Sequence, residues 1–171
     1  MSPVAVLVGA PGAGKSTVGK RVARALEVDF IDTDAVIVER AGKPISDIFV
    51  QDGEAAFRVL EEEVVSDVLA TSDGVVALGG GAILSERTRA LLAGHQVVWL
   101  RVGLSDAARR VGMNTARPLL LGNVRTQLKA LMDARAPLYE SVSTTIIDTT
   151  DRKVREIVDA VLVALGHQSE A

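Results

Sequence analysis

Val4-Ala5-Val6-Leu7-Val8-Gly9-Ala10-Pro11-Gly12-Ala13-Gly14-Lys15-Ser16 decides the fold of this chain. The apolar run ending in glycine reads as a strand buried on both faces, the kind found in parallel sheets. Gly9 to Ser16 satisfies the pattern G-x-x-x-x-G-K-[ST]. Directly after it, Val18, Val22, Ala25 and Leu26 recur at helical spacing, with Lys20, Arg21 and Arg24 on other faces. In this strand, loop and helix context, glycine backbone N–H groups turn inward around phosphate oxygens, where a Cβ would obstruct the dihedrals or the approach. Lys15 is expected to reach the β- and γ-phosphates of ATP, and the Ser16 hydroxyl to ligate Mg²⁺. Gly12, Ala13, Gly14 and Thr17 complete the expected nucleotide cradle. A dinucleotide site, opened by Gly12-x-Gly14 with Asp32 as ribose acid, fails at Thr17, where a third small residue should stand.

Working outward, apolar runs return at Phe30–Ile31, Val75–Leu78, Val97–Val102 and Thr144–Ile147. Helical patterns lie between them at about 34–41, 53–70, 86–93, 105–111, 125–142 and 153–165. This alternation predicts an α/β fold: a five-stranded parallel sheet in a single three-layer domain over 1–171, with ligands gathered beyond the carboxyl ends of the strands. The stretch from Gly112 to about Val124 lacks clear periodicity and carries glycine, asparagine and proline, so it is expected to be a mobile lid.

Composition narrows the function. With 171 residues, 48% hydrophobic and 24% charged, the chain fits one globular domain. A net charge of -3 leaves no basic excess for a nucleic-acid backbone. Yet the cations divide into 14 Arg and 5 Lys, and Arg is the side chain suited to forked recognition of carboxylate and phosphate. The absence of cysteine excludes disulfides, thiolate metal sites and a Cys nucleophile, and fits a cytoplasmic setting. No apolar stretch approaches the length of a membrane span, and the N-terminus has no cationic segment of a secretory signal. His95 and His167 have no partner constellation.

Two further features point to an acceptor. If Phe30 to Asp34 is extended, Asp32 and Asp34 face the same side near the phosphate loop. Asp32 is then the candidate for holding Mg²⁺ through water, and Asp34 for contacting the acceptor hydroxyl, unless Asp34 caps the following helix. Gly79–Gly80–Gly81 after the strand Val75–Leu78 either lets a polyhydroxylated ligand lie on bare backbone or makes a tight strand-to-helix turn.

The ordered set Gly9–Ser16, Asp32-x-Asp34, Gly53–Glu54 with Phe57–Arg58 and Glu61, the triple glycine, Arg117–Pro118–Leu119 and Arg135-x-Pro137-x-Tyr139 resembles the shikimate kinase family over about residues 4–165. The resemblance implies phosphoryl transfer from ATP to the 3-hydroxyl of shikimate. It implies that Arg58 and Arg135 grip the shikimate carboxylate, that Asp34 and the Gly79, Gly80 and Gly81 backbone bind its ring hydroxyls, and that Glu61 orients Arg58. The acceptor region would then be about 34–61, with Phe49 and Phe57 towards its wall. It further implies a lid arginine, Arg117, across the phosphates and Arg110 stacked on adenine. Arg152 lies in the expected adenine-side loop from Thr149 to Val154. The expected partner is a small molecule only, and the expected state a monomer.

The chain departs from the family at Leu78, where many members carry Thr, and it lacks a Walker-B aspartate on that strand. This shifts weight to Asp32, with Asp148 as a weaker substitute for the metal. Alternatives from the residues alone are a kinase for gluconate or a nucleoside monophosphate, or a nucleotide-gated binding protein without turnover. Arg58 could also be a surface ion-pair partner, and Arg110 and Arg117 solvated cations.

Overall fold

The structure, a computed structural model, describes residues 2–112 and 121–167. Five strands form one all-parallel sheet in the order β2-β3-β1-β4-β5: β1 (Ala5–Val8), β2 (Phe30–Asp32), β3 (Val75–Ala77), β4 (Val97–Arg101) and β5 (Thr145–Asp148). The expected α/β architecture is therefore present. The helices are α1 (Lys15–Leu26), α2 (Thr33–Ala41), α3 (Ile45–Gln51), α4 (Glu54–Thr71), α5 (Glu86–Leu91), α6 (Leu104–Gly112), α7 (Leu121–Val142) and α8 (Val154–Ala164), with a 3₁₀ turn at Ala82–Leu84.

The central strands β3, β1 and β4 are apolar up to Arg101 at the end of β4 because both faces are covered. Leu7, Val75, Ala77, Val98 and Leu100 pack with Val18 and Val22 of α1 and with Ile157 and Val161 of α8. The alternate residues Val6, Val8, Val76, Val97 and Trp99 pack with Val64, Val65 and Val68 of α4 and with Tyr139 of α7. This period-two division gives one sheet two cores. In α1 the buried alanine is Ala23, and Ala25 is exposed, a two-residue difference from the expected stripe. Gly19 lies so close to the Phe30 ring that a Cβ would collide with it, which lets α1 settle onto the sheet.

Three boundaries differ from expectation. The chain is not extended through Asp34: β2 ends at Asp32 and α2 starts at Thr33. Asp32, rather than Asp34, is the cap, because its carboxylate accepts the Asp34 N–H at 2.9 Å. A helix absent from the sequence reading, α3, follows Pro44; it is seven residues long, with Ile48 its one buried residue and Ile45 partly buried against the core. Finally, the margins of the expected lid at 112 and 121–124 are helical, while residues 113–120, including Arg117, Pro118 and Leu119, lie outside the described residues.

Candidate active site

The carboxyl end of β1 feeds directly into the glycine loop. Gly12 and Gly14 take φ of 82° and 90°, left-handed values that side-chain-bearing residues avoid, and these turns aim the loop amides inward. Gly14 also ends the loop as the cap of α1, whose first turn has no side-chain cap, so its positive end is open to an anion. Lys15 Nζ donates to the Gly9 and Ala10 carbonyls at 2.6 and 3.2 Å, stretching the side chain across the loop. Burial lowers the Lys15 pKa to about 8, opposed by the carboxylates of Asp34 and Asp32 and reinforced by Arg135. A cleft of about 280 Å³ is lined by Pro11 to Thr17, Asp32, Asp34, Leu78, Gly79 and Gly80.

Asp32 sits where β2 becomes α2, and one oxygen accepts the Ser16 hydroxyl at 2.9 Å while the other caps the helix. Ser16 and Asp32 are thus a converged pair of hard oxygen donors, the chemistry Mg²⁺ takes alongside retained waters and phosphate oxygens. Asp148 does not join them. It lies at the end of edge strand β5, pairs with Arg101 at 3.3 Å and accepts the Thr150 N–H, which chiefly holds its carboxyl below the usual range. Leu78 is buried in the core, so its departure from Thr replaces a hydroxyl with packing.

Asp34, in the first turn of α2, reaches the triple glycine: a Cβ on Gly79 would stand 2.6 Å from its Oδ1. Burial, then the neighbouring Asp32 charge, raises the Asp34 pKa, with Lys15 and Arg58 opposing. A carboxylate moved towards neutrality is better matched to taking a proton at working pH. On the other side, a Cβ on Gly81 would overlap the Arg58 guanidinium. Here the glycines are required for close approach of side chains, beyond what a turn alone would need.

Arg58 lies on α4 with Nη1 donating to Glu61 at 2.8 Å, Nη2 3.6 Å from the exposed Glu54, and its guanidinium 5.2 Å from the Phe57 ring centroid. Glu61 is 4% exposed. Burial raises its pKa, and Arg58 counters this. Arg58 is thus ion-paired, with its guanidinium lying against Gly81. Its Nε is buried without a hydrogen-bond partner. A cavity of about 730 Å³ opens beside it, lined by Glu54, Glu61, Leu84 and Arg87 among others. Phe57 is core, while Phe49 is 37% exposed with its ring 4.7 Å from Phe57. Arg135 on α7 is near enough to influence Lys15 and Glu61 electrostatically.

Arg110 on α6 donates to the Gly12 carbonyl at 2.6 Å. With Arg152, Val154, Ile157, Ala13, Gly14 and Thr17 it lines a separate cleft of about 250 Å³ beside the loop. Arg152 also donates to the Asp148 carbonyl at 3.1 Å. Two contributors escaped the sequence reading. Thr33, between the aspartates, is fully buried and its hydroxyl accepts the Gly79 N–H at 3.2 Å. Tyr139, noted only as part of a pattern, donates to the Gly80 carbonyl at 2.5 Å. Its i, i+4 spacing from Arg135 on a helix was the available signal.

Comparison with known proteins follows the same geometry. The sequence profile of shikimate kinase matches residues 11–166. A shikimate kinase of Thermobifida fusca is 59% identical over 159 residues, 93% of this chain and 92% of that protein. Among solved structures, shikimate kinase from Acinetobacter baumannii in complex with shikimate superposes with a TM-score of 0.85 at 33% identity, covering 95% of this chain and 92% of that one. A gluconokinase from Sinorhizobium meliloti reaches a TM-score of only 0.55 at 25% identity, covering 96% and 91%.

Proposed function

Because the chain belongs to the shikimate kinase family, we propose that the cleft between the glycine loop, α2, α4 and α7 performs the family's phosphoryl transfer with the residues described above. The protein is an ATP-dependent kinase that phosphorylates the 3-hydroxyl of shikimate. The observation that supports this assignment of the acceptor is Arg58, held by buried Glu61 and laid against the Gly81 backbone with its Nε unpartnered.

In this reading Arg58 and Arg135 take the acceptor carboxylate, a planar guanidinium matching it with parallel bonds. Gly79, Gly80 and Gly81 offer backbone to the ring hydroxyls. Asp34 orients the attacking hydroxyl and receives its proton. Lys15 leaves the Gly9 and Ala10 carbonyls for the phosphates, and the α1 terminus and loop amides stabilise charge on the transferring group. Gly12, Ala13, Gly14, Ser16 and Thr17 cradle the nucleotide, with Arg110 and Arg152 beside its base. Ser16 and Asp32 would hold Mg²⁺, which would supply neutralisation of phosphate charge. Arg117 remains the proposed lid arginine. The proposed working form is a cytoplasmic single-domain monomer; among the described residues no helix is long and apolar enough to cross a membrane.

ADP release with Mg-ATP tests the assignment, with shikimate, gluconate or AMP added separately. Shikimate is expected to give the large stimulation. A shikimate signal no greater than that without acceptor overturns the reading.

A further inference from the structure

β2 and β3 stay paired up to Asp32 and Ala77, and the Val75 N–H donates to the Asp29 carbonyl at 2.9 Å. Bonds of a parallel ladder recur every two residues, so the Gly79 N–H comes opposite residue 33. The Thr33 carbonyl does not meet it, because α2 begins at Thr33 and turns that carbonyl along the helix axis. The Thr33 hydroxyl accepts the Gly79 N–H instead, at 3.2 Å, from a side chain that is fully buried. A side chain thus makes the last rung between the triple glycine and the first turn of α2.

Residues 32–34 reach in two directions. Asp32 accepts the Ser16 hydroxyl at 2.9 Å on the phosphate-loop side, whereas Thr33 and Asp34 both meet Gly79. Asp34 Oδ1 lies so near the Gly79 backbone that a Cβ there would stand 2.6 Å from it. We infer that Thr33 is a positioning residue: its hydroxyl holds the Gly79 backbone against the Asp34 carboxylate, and so fixes where that carboxylate presents the attacking hydroxyl to the phosphoryl group. This rests on the reading of Asp34 as the group that orients the acceptor hydroxyl. Without the Thr33 oxygen, the Gly79 N–H loses its partner, and a glycine has no side chain of its own to keep it in place. Phosphoryl transfer depends almost entirely on positioning, so a shift well under a bond length is felt in the rate.

Thr33→Val keeps the shape and removes the hydroxyl, while Thr33→Ser keeps the hydroxyl and removes the methyl group. With Thr33→Val, kcat is expected to fall about tenfold while the Kd for Mg-ATP changes by less than about twofold. Thr33→Ser should lower Tm through lost packing yet hold kcat within about twofold of wild type, a rescue that a purely structural role does not give. In an Asp34→Asn background, Thr33→Val is expected to add less than about twofold, because its route to the acceptor is already cut. Gly79→Ala leaves Thr33 untouched and presses directly on Asp34, so it should reproduce the loss of kcat with ATP affinity retained. The proposal is overturned by wild-type kcat in Thr33→Val or in Gly79→Ala, by a Thr33→Ser enzyme as slow as Thr33→Val, or by a full tenfold effect added to Asp34→Asn. Wild-type kcat in Asp34→Asn would overturn the reading of Asp34 itself, a failure visible without any change at Thr33.

Discussion

Asp34 carries two opposed influences: burial and Asp32 push its pKa up, while Lys15 and Arg58 pull it down. Such a group changes protonation easily when an acceptor hydroxyl arrives and water leaves. Asp34→Asn is therefore expected to lower kcat on the order of 100-fold or more while the Kd for ATP stays near wild type, measured by steady-state kinetics and nucleotide titration. Equal loss of ATP affinity would assign Asp34 to the metal. Lys15 gives a second test. Its pKa of about 8 makes it mostly neutral at pH 9, and phosphate oxygens favour its charged form. Nucleotide binding should then take up close to one proton at pH 9 and only about a tenth at pH 7, readable by calorimetry in buffers of different ionisation enthalpy. The same depression costs the free fold stability below pH 8. That cost fades as the pH rises from about 8 towards 10.5, where the unfolded chain holds more protons than the folded one.

At the scale of elements, α2 depends on the same carboxylate that faces Ser16. Asp32→Ala should cost about 1 kcal/mol through the lost cap as well as raising the Mg²⁺ requirement. Asp32→Asn keeps a good cap, so urea unfolding should be close to wild type while half-maximal activity needs more Mg²⁺; a wild-type Mg²⁺ dependence would remove Asp32 from the metal site. This dual use shows what the sequence could and could not convey. The phosphate loop was legible because strand, glycines, Lys15 and helix are contiguous. Asp32 and Asp34 were recognised as a pair, but the alternation argument that joined them was wrong, since a helix begins between them. α3 is only seven residues long, too short for the spacing of Ile45, Ile48 and Phe49 to stand out as a helix. Thr33 has no local signature of its task, which arises from the pairing of β2 with β3 that brings Gly79 to it from a distant position.

Across the whole molecule, a net charge of -3 coexists with Lys15, Arg58 and Arg110 each lining a cleft around the glycine loop and α4. Mg-ATP at about 100 times its Kd should stabilise the native state by about 2.7 kcal/mol, a rise in Tm of about 5–10 °C for a chain of this size. Shikimate should stabilise separately, and EDTA should remove most of the ATP effect; a shift with ATP that is indifferent to EDTA would count against the Ser16–Asp32 site. The central place of β1 has a consequence for how the protein comes into being. β1 pairs with residues 75–77 on one side and 97–99 on the other. During synthesis it therefore waits for residues far along the chain before both its edges are covered, and any stall before residue 97 leaves an apolar strand edge exposed to chaperones or aggregation.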